Sequence, residues 1–301
     1  MGPAQPIPPF THAPAARDRR LGYLFGFVGV ASFSLTLPAT RLAVAALDPV
    51  FVGLGRAVVA AVLAAIVLAV RRAPWPGWAL LPRLALVAGG VVVGFPLFSA
   101  WAMQSAPAAH GAVVIGLLPL ATAMAAAWIA HERPSRLFWL CAIFGSAVVA
   151  GFALWRGGGA PQAADGLLVL AVASAAIGYA EGGRLARTLP SWQVICWALV
   201  IAAPLVAIPT ALAADARLLA APVSAWAGFA YVSVVSMFLG FFAWYRGLAQ
   251  GGIAAVGQVQ LVQPFLTIFA SAWILDEQIE AATIVAAGLV IASIVVGRRA
   301  R

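Results

Sequence analysis

The chain has 301 residues, of which 64% are hydrophobic and 9% charged, with a mean hydropathy of +1.01 and a formal net charge of +9. Too few polar residues remain to cover a soluble protein of this length, so the composition places most of the chain in lipid and excludes a soluble enzyme. The distribution of the charge excludes a nucleic-acid partner: every basic residue is Arg, and most stand at the edges of apolar runs, as topology signals do.

Residues 1–20, MGPAQPIPPFTHAPAARDRR, are rich in Pro and Ala and end in a basic cluster. Their apolar content is too broken for a signal-peptide core, and the sixth position lacks the Ser or Thr of a myristoylation signal, so a disordered cytoplasmic tail is expected. Beyond it the chain divides into apolar runs of about 20 residues, the length of a helix that crosses the hydrocarbon. Ten helices are predicted, at 21–44, 49–70, 83–104, 107–130, 136–155, 166–187, 191–213, 222–246, 251–274 and 279–297. The runs are too long, and alternate too little, to be strands. With the N-terminus inside, fourteen arginines fall on the cytoplasmic side and only Arg156 and Arg217 on the outer side, while Arg41 and Arg56 lie within helices. This asymmetry puts both termini in the cytoplasm.

The fourth and ninth helices match at a constant offset of 145: Pro119 with Pro264, Thr122 with Thr267, Trp128 with Trp273 and Glu132 with Glu277. At an offset of 143, RLA at 41–43 matches RLA at 184–186. Two copies of a five-helix unit are therefore expected, 21–155 and 166–301, joined by a periplasmic linker at 156–165. Five is odd, so the second copy enters the membrane the other way up. Inverted repeats of this kind let a structure closed on one side exchange the roles of its halves and close on the other.

The stretches that carry the repeat also carry a resemblance. LPLATAMAAAWIAHERPS with the following GSAVVAG, and VQPFLTIFASAWILDEQ with the following GLVIASIVVG, resemble the two copies of an EamA-type domain. These domains belong to the drug/metabolite transporter superfamily. The resemblance covers nearly all of the chain after residue 20, and within the superfamily it is greatest to bacterial amino-acid and metabolite exporters, including the YddG-type aromatic amino-acid exporters. The second copy departs from the pattern, with Asp276-Glu277-Gln278 where Glu132-Arg133-Pro134 stands in the first. The resemblance implies an all-α integral membrane protein and a non-ATP, secondary transporter in the bacterial inner (plasma) membrane. It does not identify the cargo.

Polar groups inside the spans are the candidates for a site, because each must face protein, water or ligand. In QVQLVQPF at 258–265, helical spacing puts Gln260, Gln263, Pro264 and Thr267 on one face. The glutamines have no counterpart in the first copy, where Ile115 and Leu118 occupy the aligned positions. Two roles are open for them: hydrogen-bonding a polar solute in a central cavity, or joining helices. Pro264, like Pro119, breaks a helix, and it is expected to free the carbonyl one turn earlier, near Gln260, for a substrate ammonium. From neighbouring helices come Ser99 and Trp101, then Ser236, Met237 and Trp244, with Tyr179 from the sixth. Aromatic rings there would suit an apolar or aromatic cargo, although tryptophans near helix ends also form interfacial belts.

Candidates for coupling are His110, Glu181 and Arg56. For each a simpler role is also open: a wet helix end for His110, an i,i+3 pair with Arg184 for Glu181, and outward snorkelling for Arg56, with anchorage of a substrate carboxylate as its alternative. Cys141 and Cys196 lie in apolar runs as packed small residues, no metal-ligand spacing occurs, and no GxxxxGK[ST] or H-E-x-x-H motif is present. No cofactor, metal or catalytic group is expected. The sequence thus points to a monomeric exporter of neutral or aromatic amino acids by alternating access, with a small solute and the bilayer as its partners. Another small metabolite or drug as cargo, or a channel or integral-membrane enzyme, are the alternatives.

Overall fold

The computed structural model describes residues 16–129, 131, 132, 135–156 and 163–275, with seven single positions between 281 and 296. All regular structure among the described residues is helical. Among the described residues, seven helices are long and apolar enough to cross a membrane: α1 (Asp18–Val44), α2 (Pro49–Val70), α3 (Trp78–Ala102), α6 (Ala163–Leu185), α7 (Ser191–Leu212), α8 (Val223–Gly251) and α9 (Ile253–Ile274). Between α3 and α6 lie α4, in two pieces (Ala108–Ile115 and Leu118–Ile129), and α5 (Arg136–Arg156). The expected tenth helix falls outside the described residues, apart from helical positions such as 285 and 293. Residues 1–15, 157–162 and 276–280 also lie outside them.

Proline accounts for most of the irregularities. α1 is interrupted at Leu35, three residues before Pro38, which has no N–H for the carbonyl of Ser34. α4 divides at Gly116 and Leu117 because Pro119 cannot donate to Ile115; the Leu117 N–H turns instead to Val114, at 3.0 Å. In α9 a 3-10 segment, Gln258–Val262, precedes Pro264. α3 carries a π-helical segment, Ala88–Gly94, just before Pro96, and the Phe95 N–H reaches back five residues to Gly90. α8 carries a second π segment, Tyr231–Leu239, at the corresponding place in the other half. No proline explains that one, but Ser233 Oγ donates to the Phe229 carbonyl at 2.6 Å and so competes with the backbone for it. Capping fixes the start of α2, where Asp48 Oδ1 accepts the Val50 N–H at 2.8 Å and Pro49 occupies the first turn. Between α8 and α9 the chain reverses in a single residue, Gly252, whose φ of 89° favours glycine.

Glycines bring two pairs of helices into backbone contact. Along α1 and α8, Gly22 faces Gly251, Gly26 and Gly247 meet, and Gly29 lies against Trp244. Along α3 and α6, Gly90 lies against Ser174 and Gly178, and Gly94 against Ser174. By the sequence offset these are equivalent pairs, and both are antiparallel. α2 and α7, themselves equivalent, also run antiparallel: Gly55 lies by Thr210, while Trp75, past the other end of α2, meets Trp197 with ring centroids 5.1 Å apart. Outward faces are apolar, as a lipid-facing surface must be, with Val62, Ile66, Leu205, Ile208 and Leu212 all exposed.

Two belts of contact lie at opposite ends of the bundle. At one end Gly22 meets Gly251, Arg246 lies over the Phe25 ring at 4.2 Å, and Arg83, Arg184 and Arg187 gather around Glu181 and Glu132. At the other, Gly228 packs on the Ala39 carbonyl and Arg41 donates to the carbonyls of Met103 (2.7 Å) and Ala106 (3.0 Å). Arg217 lies 3.6 Å from Asp48 at that same end.

Candidate functional site

Between these two ends the helices of both halves enclose a cavity. Its wall takes Phe33 and Thr36 from α1, Arg56 from α2, Val91 and Phe95 from α3, Tyr179 from α6, Ser236, Met237 and Phe241 from α8, and Gln263 from α9. Both π segments reach it, through Val91 and through Ser236 and Met237. A π turn shifts the side chains that follow it out of helical register, which is one way in which functional sites are shaped. Val91 and Ser236 are also related by the repeat offset of 145, so one wall is apolar where its counterpart is polar. The cavity is tight, with room for about one water molecule.

Its polar groups are few. Thr36 Oγ1 and Ser236 Oγ share a hydrogen bond of 2.8 Å that joins α1 to α8 across the two halves. Gln263 is 5% exposed, and its Oε1 has no partner. Arg56 is 1% exposed, pairs with no carboxylate among the described residues, and makes one long contact, from Nη2 to Ser99 Oγ at 3.5 Å. Its Nε has no partner. No Asp or Glu among the described residues lines the cavity. Apart from Val91 and Met237, aromatic rings make up the rest: Phe33 lies 5.0 Å from Phe241 and 6.2 Å from Tyr179 between ring centroids.

Of the residues singled out from the sequence, Gln263, Ser236, Met237, Tyr179 and Arg56 meet at the cavity. None of the others with a described side chain lines it. Gln260 is buried one turn away, donating to Thr122 Oγ1 (3.3 Å) and to the Gly257 carbonyl (3.0 Å), so it joins α9 to α4. Thr267 is buried one turn further along α9. Ser99 stands behind Arg56 and donates to the Pro96 carbonyl at 3.1 Å. Trp101 packs beside Phe98 at the end of α3. Trp244 is fully buried behind Phe33 and Tyr179, since α8 continues for two more turns beyond it. The Gln260 carbonyl is not left free by Pro264: the 3-10 turn lets the Gln263 N–H bond to it. Arg56 does not snorkel outward, because its side chain is enclosed between α2 and its neighbours. Phe33, Thr36, Val91, Phe95 and Phe241 complete the wall without having been singled out.

Glu181 lies at the bundle end rather than in the cavity. Its side chain is 2% exposed, its Oε1 accepts from Arg83 of α3, and its Oε2 lies 3.2 Å from Arg184 Nε. Arg184 also donates to the Ile129 carbonyl at 3.0 Å. Glu132 pairs with Arg187 and accepts the backbone N–H groups of Ile253 (3.0 Å) and Ala254 (2.8 Å) at the start of α9. The carboxylates thereby tie α3, α4, α6 and α9 together on one side of the cavity. His110 lies in the first piece of α4, but its side chain is outside the described set.

Comparison with known proteins agrees with this architecture. A family model described as the EamA-like transporter family matches the chain twice, over residues 20–154 and 162–297. The chain is 46% identical over 278 residues to the "Uncharacterized transporter YdeK" of Bacillus subtilis (strain 168), covering 92% of this chain and 97% of that one. A solved crystal structure superposes with a TM-score of 0.70 over 92% of this chain and 98% of its own, at 19% identity, a likeness of fold alone. With a family model covering nearly its whole length in two copies, and a transporter relative almost as long as itself, the chain belongs to the EamA-like transporter family and is a multi-pass membrane protein of the transporter class.

Proposed function

We propose that the protein is a secondary transporter that exports neutral or aromatic amino acids across the bacterial inner (plasma) membrane by alternating access. In this reading ten helices form two inverted five-helix repeats with both termini cytoplasmic, and the monomer is the working unit. The observation that carries it is the cavity at the junction of the halves, walled by α1, α2 and α3 from one and by α6, α8 and α9 from the other. A cavity with room for about one water must open before it can accept a solute, and rocking one half against the other supplies that opening. The antiparallel run of the equivalent helices α2 and α7 supports inversion of the halves. Arg83, Arg184, Arg187 and Arg246 at one end, against Arg41 and Arg217 at the other, support a cytoplasmic assignment for the arginine-rich end. Phe33, Phe95, Tyr179 and Phe241 favour a cargo with an apolar or aromatic body. A wall without carboxylates among the described residues favours transport down the cargo gradient over a proton relay within the cavity.

The test is counterflow in proteoliposomes preloaded with unlabelled amino acids, one at a time, against labelled phenylalanine and leucine. Saturable exchange with several neutral amino acids is expected. No exchange with any of them would overturn the amino-acid assignment, and flux that rises linearly with concentration would favour a channel.

A further inference from the structure

We propose that Arg56 is the anchor for a carboxylate, and that a carboxylate on an apolar body defines the cargo, with the α-amino group dispensable. This rests on the transport reading above and concerns the same cavity. A guanidinium is always charged, and withdrawing it from water without a partner is strongly unfavourable. Arg56 is withdrawn in this way: it is 1% exposed, its Nε is unpartnered, and no carboxylate among the described residues pairs with it. The one polar side chain bonded to it among the described residues is the Ser99 hydroxyl, at 3.5 Å. Its open direction is the cavity, where Gln263 also presents an unpartnered Oε1.

The planar fork of an arginine matches the two oxygens of a carboxylate. The rings of Phe33, Phe95 and Phe241 on the same wall ask for a hydrophobic body attached to that anion, rather than an inorganic ion. An ammonium finds nothing equivalent. No acidic side chain among the described residues lines the cavity, and what is offered is the neutral carbonyl oxygen of Gln263 together with the neutral hydroxyls of Tyr179, Thr36 and Ser236, the last two sharing one hydrogen bond of 2.8 Å. Charge balance in the cavity is therefore better served by an anion than by a zwitterion.

The experiment reads binding without transport, by thermal stabilisation of the purified protein in detergent. The probes are phenylalanine, 3-phenylpropionate, 3-phenylpropionamide, phenethylamine, sodium phosphate and sodium chloride at matched ionic strength. 3-Phenylpropionate is expected to stabilise at least as well as phenylalanine, with its amide and the amine weaker by at least about tenfold in the concentration required. Arg56→Gln should remove the preference for carboxylate over amide, and Arg56→Lys should retain part of it. Should Arg56→Gln fail to fold, the ranking of the probes on the wild type decides by itself. Equal stabilisation by the amide, or stabilisation by phosphate or chloride equal to that by 3-phenylpropionate, would overturn the anchor. Carboxylate-selective binding without amino-acid counterflow would instead refute the amino-acid assignment and leave the anchor standing.

Discussion

Gly89 and Gly90 are neighbours in the π segment of α3 and point in different directions. A Cβ at Gly89 would meet nothing within 4 Å, whereas a Cβ at Gly90 would lie 2.5 Å from the Ser174 carbonyl oxygen and 2.9 Å from the Gly178 nitrogen. Both obstacles are backbone atoms of α6, and real Cβ contacts essentially never fall below 3.0 Å. Alanine at either position lowers the entropy of the unfolded chain alike, a gain of about 0.5–1 kcal/mol. Only Gly90→Ala also forces α3 and α6 apart, an overpacking cost of about 1–3 kcal/mol. The difference between the variants is therefore that cost alone. Thermal unfolding of the two purified proteins in the same detergent measures it: Gly89→Ala should melt at or slightly above the wild type, and Gly90→Ala several degrees below Gly89→Ala. Equal melting temperatures would show that α3 and α6 do not approach as described, and the shape of the cavity wall they share would lose its basis.

Glu181→Gln should destabilise the protein by about 2–3 kcal/mol, below the 3–5 of a fully buried pair because Arg83 and Arg184 are 26% and 36% exposed; an unchanged melting temperature would refute the three-residue cluster. Thr36→Val and Ser236→Ala should each cost about 1–2 kcal/mol by orphaning the other hydroxyl, while the double variant should cost less than their sum; an additive result in equilibrium unfolding would deny the bond between α1 and α8.

Spacing in the sequence made the helical character of the spans and the family's two-copy pattern legible, because a span needs about 20 apolar residues and a repeat needs only a constant offset. Depth was less legible than face. Gln260 and Gln263 share a face by their spacing, but they differ by one turn along the axis, and at the level of Gln260 the space is filled by Thr122 of α4. Arg56 has a side chain long enough to snorkel. What holds it inward is the approach of α2 to α3, where Gly53 lies against Leu97 and the Pro96 carbonyl, a tertiary fact invisible in a run of Val and Ala. The π segments were half legible: Pro96 marks the one in α3, but no proline marks the one in α8; Ser236 and Met237 of that segment were expected at the site, whereas Phe241, which follows it, was not. Trp244 was a candidate for the site, with an interfacial belt as the alternative because the apolar run was expected to end at 246, yet α8 extends to Gly251 and leaves its indole fully buried.

The division between Gln263 and Gln260 puts the cavity to its most direct test. Initial counterflow rates in proteoliposomes, normalised to folded protein, should be measured for Gln263→Ala and Gln260→Ala beside the wild type, together with their melting temperatures. If the cavity is the transport site, Gln263→Ala loses about tenfold or more in exchange with little change in stability. Gln260→Ala, which gives up its bond to Thr122, then melts about 1 kcal/mol less stable and keeps its exchange. The reverse outcome, with exchange lost at Gln260 and intact at Gln263, would contradict the placement of the site.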